Sequence, residues 1–175
     1  KQVSPNQIAI LVRSNRTIQS IANYMMEKFP DKPIVSDEAF RLDSSLAVNM
    51  IVEGMRMLVH PDNLLAKAEL TKAYQVHILK RKEEGNELLV SNKDYDKLLP
   101  QAYISEHDKL LTMPLYELAE RLFSIFQLDK LNEQSAYVCA FFDQLNRFLQ
   151  ENATDIDGFI KEWDDSLCQK TIQSD

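Results

Sequence analysis

The sequence has little glycine and cysteine, and it has no long hydrophobic run. Three glycines among 175 residues are typical of a mostly helical protein and exclude a glycine-rich phosphate loop. The two cysteines, Cys139 and Cys168, are too few for a disulfide framework and lack the spacing of a zinc site, so we expect a reducing, cytoplasmic location. No apolar run approaches the roughly 18 residues that a transmembrane helix needs, so no membrane partner is expected.

The balance of apolar and charged residues predicts a folded globular domain. The chain is 45% hydrophobic and 27% charged, which excludes intrinsic disorder, and its length suffices for one ordinary hydrophobic core. The formal charge of −7 argues against a chain that binds nucleic acid over its whole surface.

The apolar run Ile8-Ala9-Ile10-Leu11-Val12 is the strongest local signal in the chain. Its length and β-branched residues are typical of a parallel strand buried on both faces. Arg13 follows at what would be the carboxyl edge of a sheet, where open α/β folds bind ligands. A guanidinium there can hold a phosphate by two parallel hydrogen bonds, although a surface arginine paired with a carboxylate is the alternative interpretation.

A helical pattern follows this strand, and a second strand follows the helix. Ser14 and Asn15 are suitable N-caps, and apolar residues recur at helical spacing until Phe29. Residues 33–36 then form a short apolar run, so a parallel strand–helix–strand (βαβ) unit is predicted. Because two strands alone do not make a stable sheet, the missing neighbours are expected elsewhere in a longer protein.

Amphipathic patterns predict a helical bundle over the rest of the chain. One helix has its cap residues at Leu42-Asp43-Ser44 and closes at His60-Pro61, and a second covers residues 62–82. Residues 100–112 are predicted to be irregular. The last third is predicted to hold three helices, which begin near Pro114, Asn132 and Thr154. The predicted fold class is therefore mostly α with a small α/β part, a short parallel βαβ unit followed by a helical bundle.

Beyond Arg13, one basic cluster is a candidate for binding a ligand. Lys80, Arg81 and Lys82 lie at the end of a predicted helix and can contact the phosphate backbone of DNA. Cations at a helix C-terminus are also favoured by the helix dipole, so the cluster has a purely structural explanation as well. No metal site is predicted, because metal-ligand spacing is lacking among the three histidines, His60, His77 and His107.

The order of these elements resembles superfamily 1 DNA helicases of the UvrD/Rep/PcrA and RecB/AddA group, from their motif IV onward. The likeness rests on residues 8–13, on Pro33-Ile34-Val35-Ser36-Asp37 and on residues 46–70. The last stretch contains a break of the hPDNLLA kind, here His60-Pro61-Asp62-Asn63-Leu64-Leu65-Ala66. The likeness covers about residues 7–70, and the family carries a long helical insertion beyond that point.

The resemblance implies that residues 1–60 are part of a second RecA-like domain and that residues 61–175 are a helical accessory domain. It also implies that Arg13 contacts the γ-phosphate of ATP, which makes it the expected catalytic and nucleotide-binding residue of the longer protein. ATP and Mg²⁺ are then the expected cofactors of that protein, and DNA and the remaining helicase domains are the expected partners. The implied function is ATP-driven translocation along DNA and unwinding of DNA in repair or recombination.

The chain departs from a complete helicase, which leaves other interpretations open. It has no GxxxxGK[ST] loop and no acidic Mg²⁺ motif, so these residues alone are expected neither to bind ATP nor to hydrolyse it. One alternative is a free-standing helical module for protein–protein interaction, and a less favoured one is a small enzyme of unrelated type. Self-association through exposed strand edges also stays open at this point.

Overall fold

The computed structural model describes residues 4, 7–13, 15–29, 31–32, 40–81 and 94–172, and these residues are mostly helical. Predominance of α-helix was expected from the sequence and is confirmed. Short 3₁₀ turns at Leu42–Ser44, Tyr95–Leu98, Leu128–Lys130 and Leu167–Gln169 connect the helices. The α-helices within the described ranges are α1 (Asn15–Lys28), α2 (Leu46–Val59), α3 (Leu64–Ala73), α4 (Gln101–Ser105), α5 (His107–Leu111), α6 (Leu115–Ile125), α7 (Ser135–Glu151) and α8 (Ile156–Asp165).

Helix α2 lies at the centre of the hydrophobic core. The Ser45 hydroxyl caps it by accepting a hydrogen bond from the Val48 N–H at 3.2 Å, and His60 is the C-cap residue. Nine of its fourteen residues are buried, so it is apolar on nearly every side, as a core helix must be. Helices α3, α6, α7 and α8 all pack against it.

The three predicted helices of the last third are confirmed as α6, α7 and α8. Phe126 follows the end of α6 and is fully buried; its ring lies 5.9 Å from that of Tyr74 and 5.2 Å from that of Tyr103. Phe141 of α7 meets the Trp163 ring of α8 at 5.7 Å. The predicted beginning of α7 at Asn132 was early, since the helix begins at Ser135.

Two other predictions about helices were wrong. Residues 100–112 are not irregular, because they form the short helices α4 and α5 on either side of Glu106. The helix predicted over residues 62–82 is shorter than expected: α3 leads into a π-helical turn, Tyr74–Ile78, and Lys80 takes a left-handed conformation with φ 55°. A single π turn shifts the helical register, and α-helical periodicity in the sequence does not reveal it.

The predicted βαβ unit is not confirmed by the described residues. Helix α1 is present, but residues 8–12 belong to no strand, and Ile8, Ile10 and Leu11 are 63%, 56% and 94% exposed. The second predicted strand, residues 33–36, lies outside the described residues. Within the described ranges, the β structure is a single antiparallel bridge between Arg41 and Thr171.

The two ends of the helical bundle lie side by side at this bridge. The Leu42 N–H donates to the Lys170 carbonyl at 2.8 Å, and the Ile172 N–H donates to the Phe40 carbonyl at 3.0 Å. One hydrophobic core extends from Leu42 to Leu167, and therefore contains residues from both sides of the predicted domain boundary at residue 60. The boundary itself stays a prediction.

None of the described helices combines the length and the apolar composition that a membrane crossing requires.

Gly54 provides a test of the packing around α2. A Cβ atom at this position would lie 3.3 Å from both Leu122 Cδ1 and Phe126 Cε2. We expect Gly54→Val to lower the free energy of unfolding by about 1–3 kcal/mol, because its extra carbons overfill this contact. The measurement is urea unfolding followed by circular dichroism.

The matched control is Gly54→Ala. Its single methyl group needs a shift of only a few tenths of an ångström, and alanine gains roughly 0.5–1 kcal/mol in a helix interior. Its stability should therefore stay close to that of the wild type. A valine variant as stable as the alanine variant would contradict close packing of α2 against α6.

Candidate functional site

Arg13 lies in a bend two residues before α1 and is exposed. Within the described part of the chain, neither a hydrogen bond nor an ion pair holds its guanidinium in place. The alternative interpretation, a surface arginine paired with a neighbouring carboxylate, therefore has no support among the described residues. An exposed and unpaired guanidinium can bind an anion supplied from outside this chain.

The apolar residues before Arg13 are unusually exposed. Ile8, Ile10 and Leu11 belong to neither a helix nor a strand, and all three are more than half exposed. Residues 8–12 thus present apolar surface next to a cationic side chain.

Of the basic cluster, Lys80 and Arg81 are exposed, and Lys82 lies outside the described residues. The sequence predicts that Lys80 and Arg81 lie in the last turn of a helix. In the structure they lie after the helical residues, which end at Ile78. The Arg81 N–H reaches back to the Gln75 carbonyl at 3.1 Å, and this bond closes the widened end of the helix. Gln75 is itself buried, so the backbone beneath the cluster is anchored to the core.

His77 lies on the same exposed segment. Partial burial lowers the pKa of His77 below its ordinary value, and the positive charges of Lys80 and Lys72 lower it further. The basic cluster predicted from the sequence, residues 80–82, did not include Lys72 or His77, because the π turn that contains His77 is not visible in the sequence.

A second charged group joins α2 to α8. The Arg56 guanidinium donates two parallel hydrogen bonds to Asp164, at 2.9 and 2.8 Å, and a third to Glu53 at 3.2 Å. Hydrogen bonding to Asp164 raises the pKa of Arg56, so the guanidinium stays charged. Burial raises the pKa of Glu53, although Arg56 acts in the opposite direction.

His60 and Asp157 extend this charged group along the same pair of helices. His60 Nε2 lies 2.7 Å from an Asp157 carboxylate oxygen, and both side chains are more than half exposed. The sequence analysis predicted only that a helix closes at His60. It missed both contacts because their partners are 97 and 108 residues apart, and no local pattern connects them.

The described residues contain no group of three or more metal-ligating side chains in metal-binding geometry. Cys139 is exposed, Cys168 is partly buried, and both are free thiols. The charged group on α2 and α8 consists of ion pairs that satisfy one another, which is typical of a structural contact. The residues suited to binding a ligand are therefore Arg13 and the basic residues after α3.

We expect Arg56→Gln to lower the free energy of unfolding at pH 7 by about 1–2 kcal/mol. Two charge-assisted hydrogen bonds are lost and Glu53 stays partly buried without its cation, but solvent screens the half-exposed Asp164. The loss should be smaller at pH 4. Because the pKa of Glu53 is raised, the folded protein protonates this carboxyl earlier than the unfolded chain does, and a neutral Glu53 does not need the cation.

The measurement is chemical unfolding at the two pH values, with Arg147→Gln as the control. Arg147 is an exposed arginine on α7, and its replacement should change stability by no more than about 0.5 kcal/mol. Equal effects of the two substitutions would show that the contact between α2 and α8 contributes nothing to stability.

The chain matches no known protein family, no curated protein and no solved structure.

Proposed function

We propose that this chain is part of an ATP-dependent DNA helicase of the UvrD-like superfamily 1 group. In this proposal, residues 8–40 belong to a RecA-like domain whose other strands lie elsewhere in the protein, and the helical bundle is an accessory unit. Arg13 would contact the γ-phosphate of an ATP molecule that another part of the protein binds with Mg²⁺. DNA would be the substrate along which the complete protein moves.

The observation that carries the proposal is an exposed apolar segment that ends in an exposed arginine. Ile8, Ile10 and Leu11 are 63%, 56% and 94% exposed, and water disfavours this apolar surface by roughly 25 cal/mol per Å². A central strand of a parallel sheet has both faces covered, so a sheet completed by other residues would remove the exposure. Arg13 would then stand at the carboxyl edge of that sheet, where such folds bind nucleotides.

The paired ends of the helical bundle are a second supporting observation. Residues 40–42 and 170–172 run antiparallel and share two backbone hydrogen bonds. A unit whose ends are adjacent can be inserted into another domain without separating the residues of its host. The accessory unit would then begin near residue 40, which is earlier than the boundary at residue 60 that the sequence predicts.

Arg13 would act in catalysis through charge alone. A guanidinium placed at the γ-phosphate stabilises the negative charge that spreads over the phosphoryl oxygens during transfer. It also makes closure of the cleft between the two RecA-like domains dependent on an intact nucleotide. The sequence has no GxxxxGK[ST] loop and no acidic Mg²⁺ motif, so binding of the nucleotide would depend on the rest of the protein.

The test is Arg13→Ala in the longer protein that contains this chain. We expect ATP turnover stimulated by DNA to fall by roughly 10³–10⁵-fold, the range for a transition-state arginine, with an unchanged circular dichroism spectrum. Lys28→Ala removes an exposed cation from the other end of α1 and should leave turnover unchanged.

Unchanged turnover in the Arg13→Ala protein would contradict the proposed role of this residue. Absence of a GxxxxGK[ST] loop from the longer protein would contradict the helicase assignment itself. Either result would favour the free-standing interaction module.

A further inference from the structure

Two polar side chains are buried where α3 meets the π turn. Thr71 is 0% exposed and Gln75 is 2% exposed. Within the described part of the chain, neither the Thr71 hydroxyl oxygen Oγ1 nor the Gln75 amide oxygen Oε1 has a hydrogen-bond partner. Folded proteins seldom leave buried polar atoms in this condition, because such atoms give up their bonds to solvent on folding.

The backbone places these two side chains next to each other. They lie four positions apart, and the Tyr74 N–H between them donates to the Leu70 and Thr71 carbonyls, so the chain is helical at this point. Side chains four residues apart in a helix are neighbours on one side of it. The two buried oxygens therefore belong to one place in the core, although they do not bond to each other.

A second contact determines the orientation of the Gln75 amide. Its nitrogen Nε2 donates to the Leu98 carbonyl, and a carbonyl can only accept. The amide cannot exchange its nitrogen and oxygen without losing this bond, so Oε1 is kept in a buried position as an acceptor that needs a donor. The Thr71 hydroxyl has one proton to donate and can also accept.

The surroundings restrict what can join the two oxygens. The turn Tyr95–Leu98 packs against α3, and one helical turn before Thr71 the Lys67 ammonium lies 2.6 Å from the Asp96 carboxylate. Because Thr71 and Gln75 are shielded from solvent, a ligand held between them has to be small. It also has to be uncharged, since burial of an ion without a counter-charge is strongly unfavourable.

We propose that one buried water molecule binds between Thr71 and Gln75. The water donates one proton to Gln75 Oε1 and makes a second hydrogen bond with the Thr71 hydroxyl. Buried waters have two to four polar partners, and these two side chains supply the first two. A single water meets each requirement of the site, because it is small, neutral and able both to donate and to accept.

The bound water connects the end of α3 with a turn that is 23 residues later in the chain, because Gln75 bonds to the water on one side and to Leu98 on the other. An inserted water is also one of the causes of a departure from the regular helical hydrogen bonds, and the π turn begins at Tyr74, beside this site. The inference does not depend on the function proposed above.

A crystal structure of the whole chain tests the proposal directly. We expect one ordered water at about 3 Å from both Thr71 Oγ1 and Gln75 Oε1. The same water should be present in Thr71→Ser, which keeps the hydroxyl, and absent from Thr71→Val, which has the shape of threonine without it. A direct bond between the two side chains, or a Thr71 hydroxyl that donates to a backbone carbonyl with no water beside it, would overturn the proposal.

The stability of Thr71→Val gives an independent test, because the two alternatives predict different results. Loss of a water-mediated bond should raise the equilibrium constant for unfolding roughly 3- to 10-fold, as for a hydrogen bond of ordinary net strength. If the hydroxyl instead has no partner, its removal should leave this constant unchanged or lower it. The matched control is Thr17→Val, an exposed threonine on α1, which should change the constant by less than about twofold.

A double-mutant cycle with Gln75→Met tests whether the two side chains share one water. Either single substitution removes a shared water, so the double variant should lose less stability than the product of the two single effects predicts. The bond from Gln75 to Leu98 is lost in both backgrounds and cancels in the cycle. Single effects that multiply without any coupling, measured by urea unfolding, would contradict a water held by both residues.

Discussion

The burial of α2 is the constraint on which the rest of the described structure depends. A helix that is apolar on nearly every side cannot remain in water, and its neighbours must cover all of these sides. Helices α3, α6, α7 and α8 do so, and Gly54 lets the side chains of α6 come close to the α2 backbone. The Tyr103 hydroxyl donates to the Gly54 carbonyl at 2.7 Å, and burial raises the pKa of this tyrosine, so its proton stays in place.

Burial of α2 creates polar groups that must be satisfied, and distant residues supply the partners. At its beginning, the Gln134 side chain accepts hydrogen bonds from the Ser45 hydroxyl at 2.7 Å and from the Ala47 N–H at 3.2 Å. Near its end, Arg56 is paired with Asp164 of α8. A buried polar group without a partner costs about 1–3 kcal/mol. Each of these contacts therefore favours the orientation of the neighbouring helix that keeps the partner in place.

The candidate functional residues lie outside this core, but the core determines where some of them stand. The π turn before Lys80 and Arg81 is anchored by buried side chains at three of its five residues. Arg13 has a different relation to the core. It follows an exposed apolar segment, and α1 meets the bundle through a small cluster of Ala22 and Phe40 with Ile18 and Ile172.

The resemblance to superfamily 1 helicases gives these separate features one interpretation. The described residues show an exposed apolar segment, an exposed arginine directly after it and a helical unit with adjacent ends. They are expected together in a chain that borders a nucleotide cleft and carries an inserted helical unit. The comparisons with known proteins add no support to this interpretation. It rests on the residues themselves.

The amino-acid sequence alone determined the helices that have a strong apolar periodicity. The helices α6 and α8 were predicted from their amphipathic spacing, and their apolar faces are buried, because this spacing persists over several turns and the core covers the apolar face. The position of Arg13 after an apolar segment was equally evident, whereas the strand itself was not confirmed, since a strand requires partners that a local pattern does not contain.

Only the tertiary structure decided the end of α3, the capping of α2 by Gln134 and the pairing of Arg56 with Asp164. The last two join residues that are 87 to 108 positions apart, so they exist only after the helices have packed. The π turn arises for a related reason. Burial of Tyr74, Gln75 and Ile78 together outweighs the regular hydrogen bonding that α3 would otherwise have continued, and packing of this kind has no signature in local sequence.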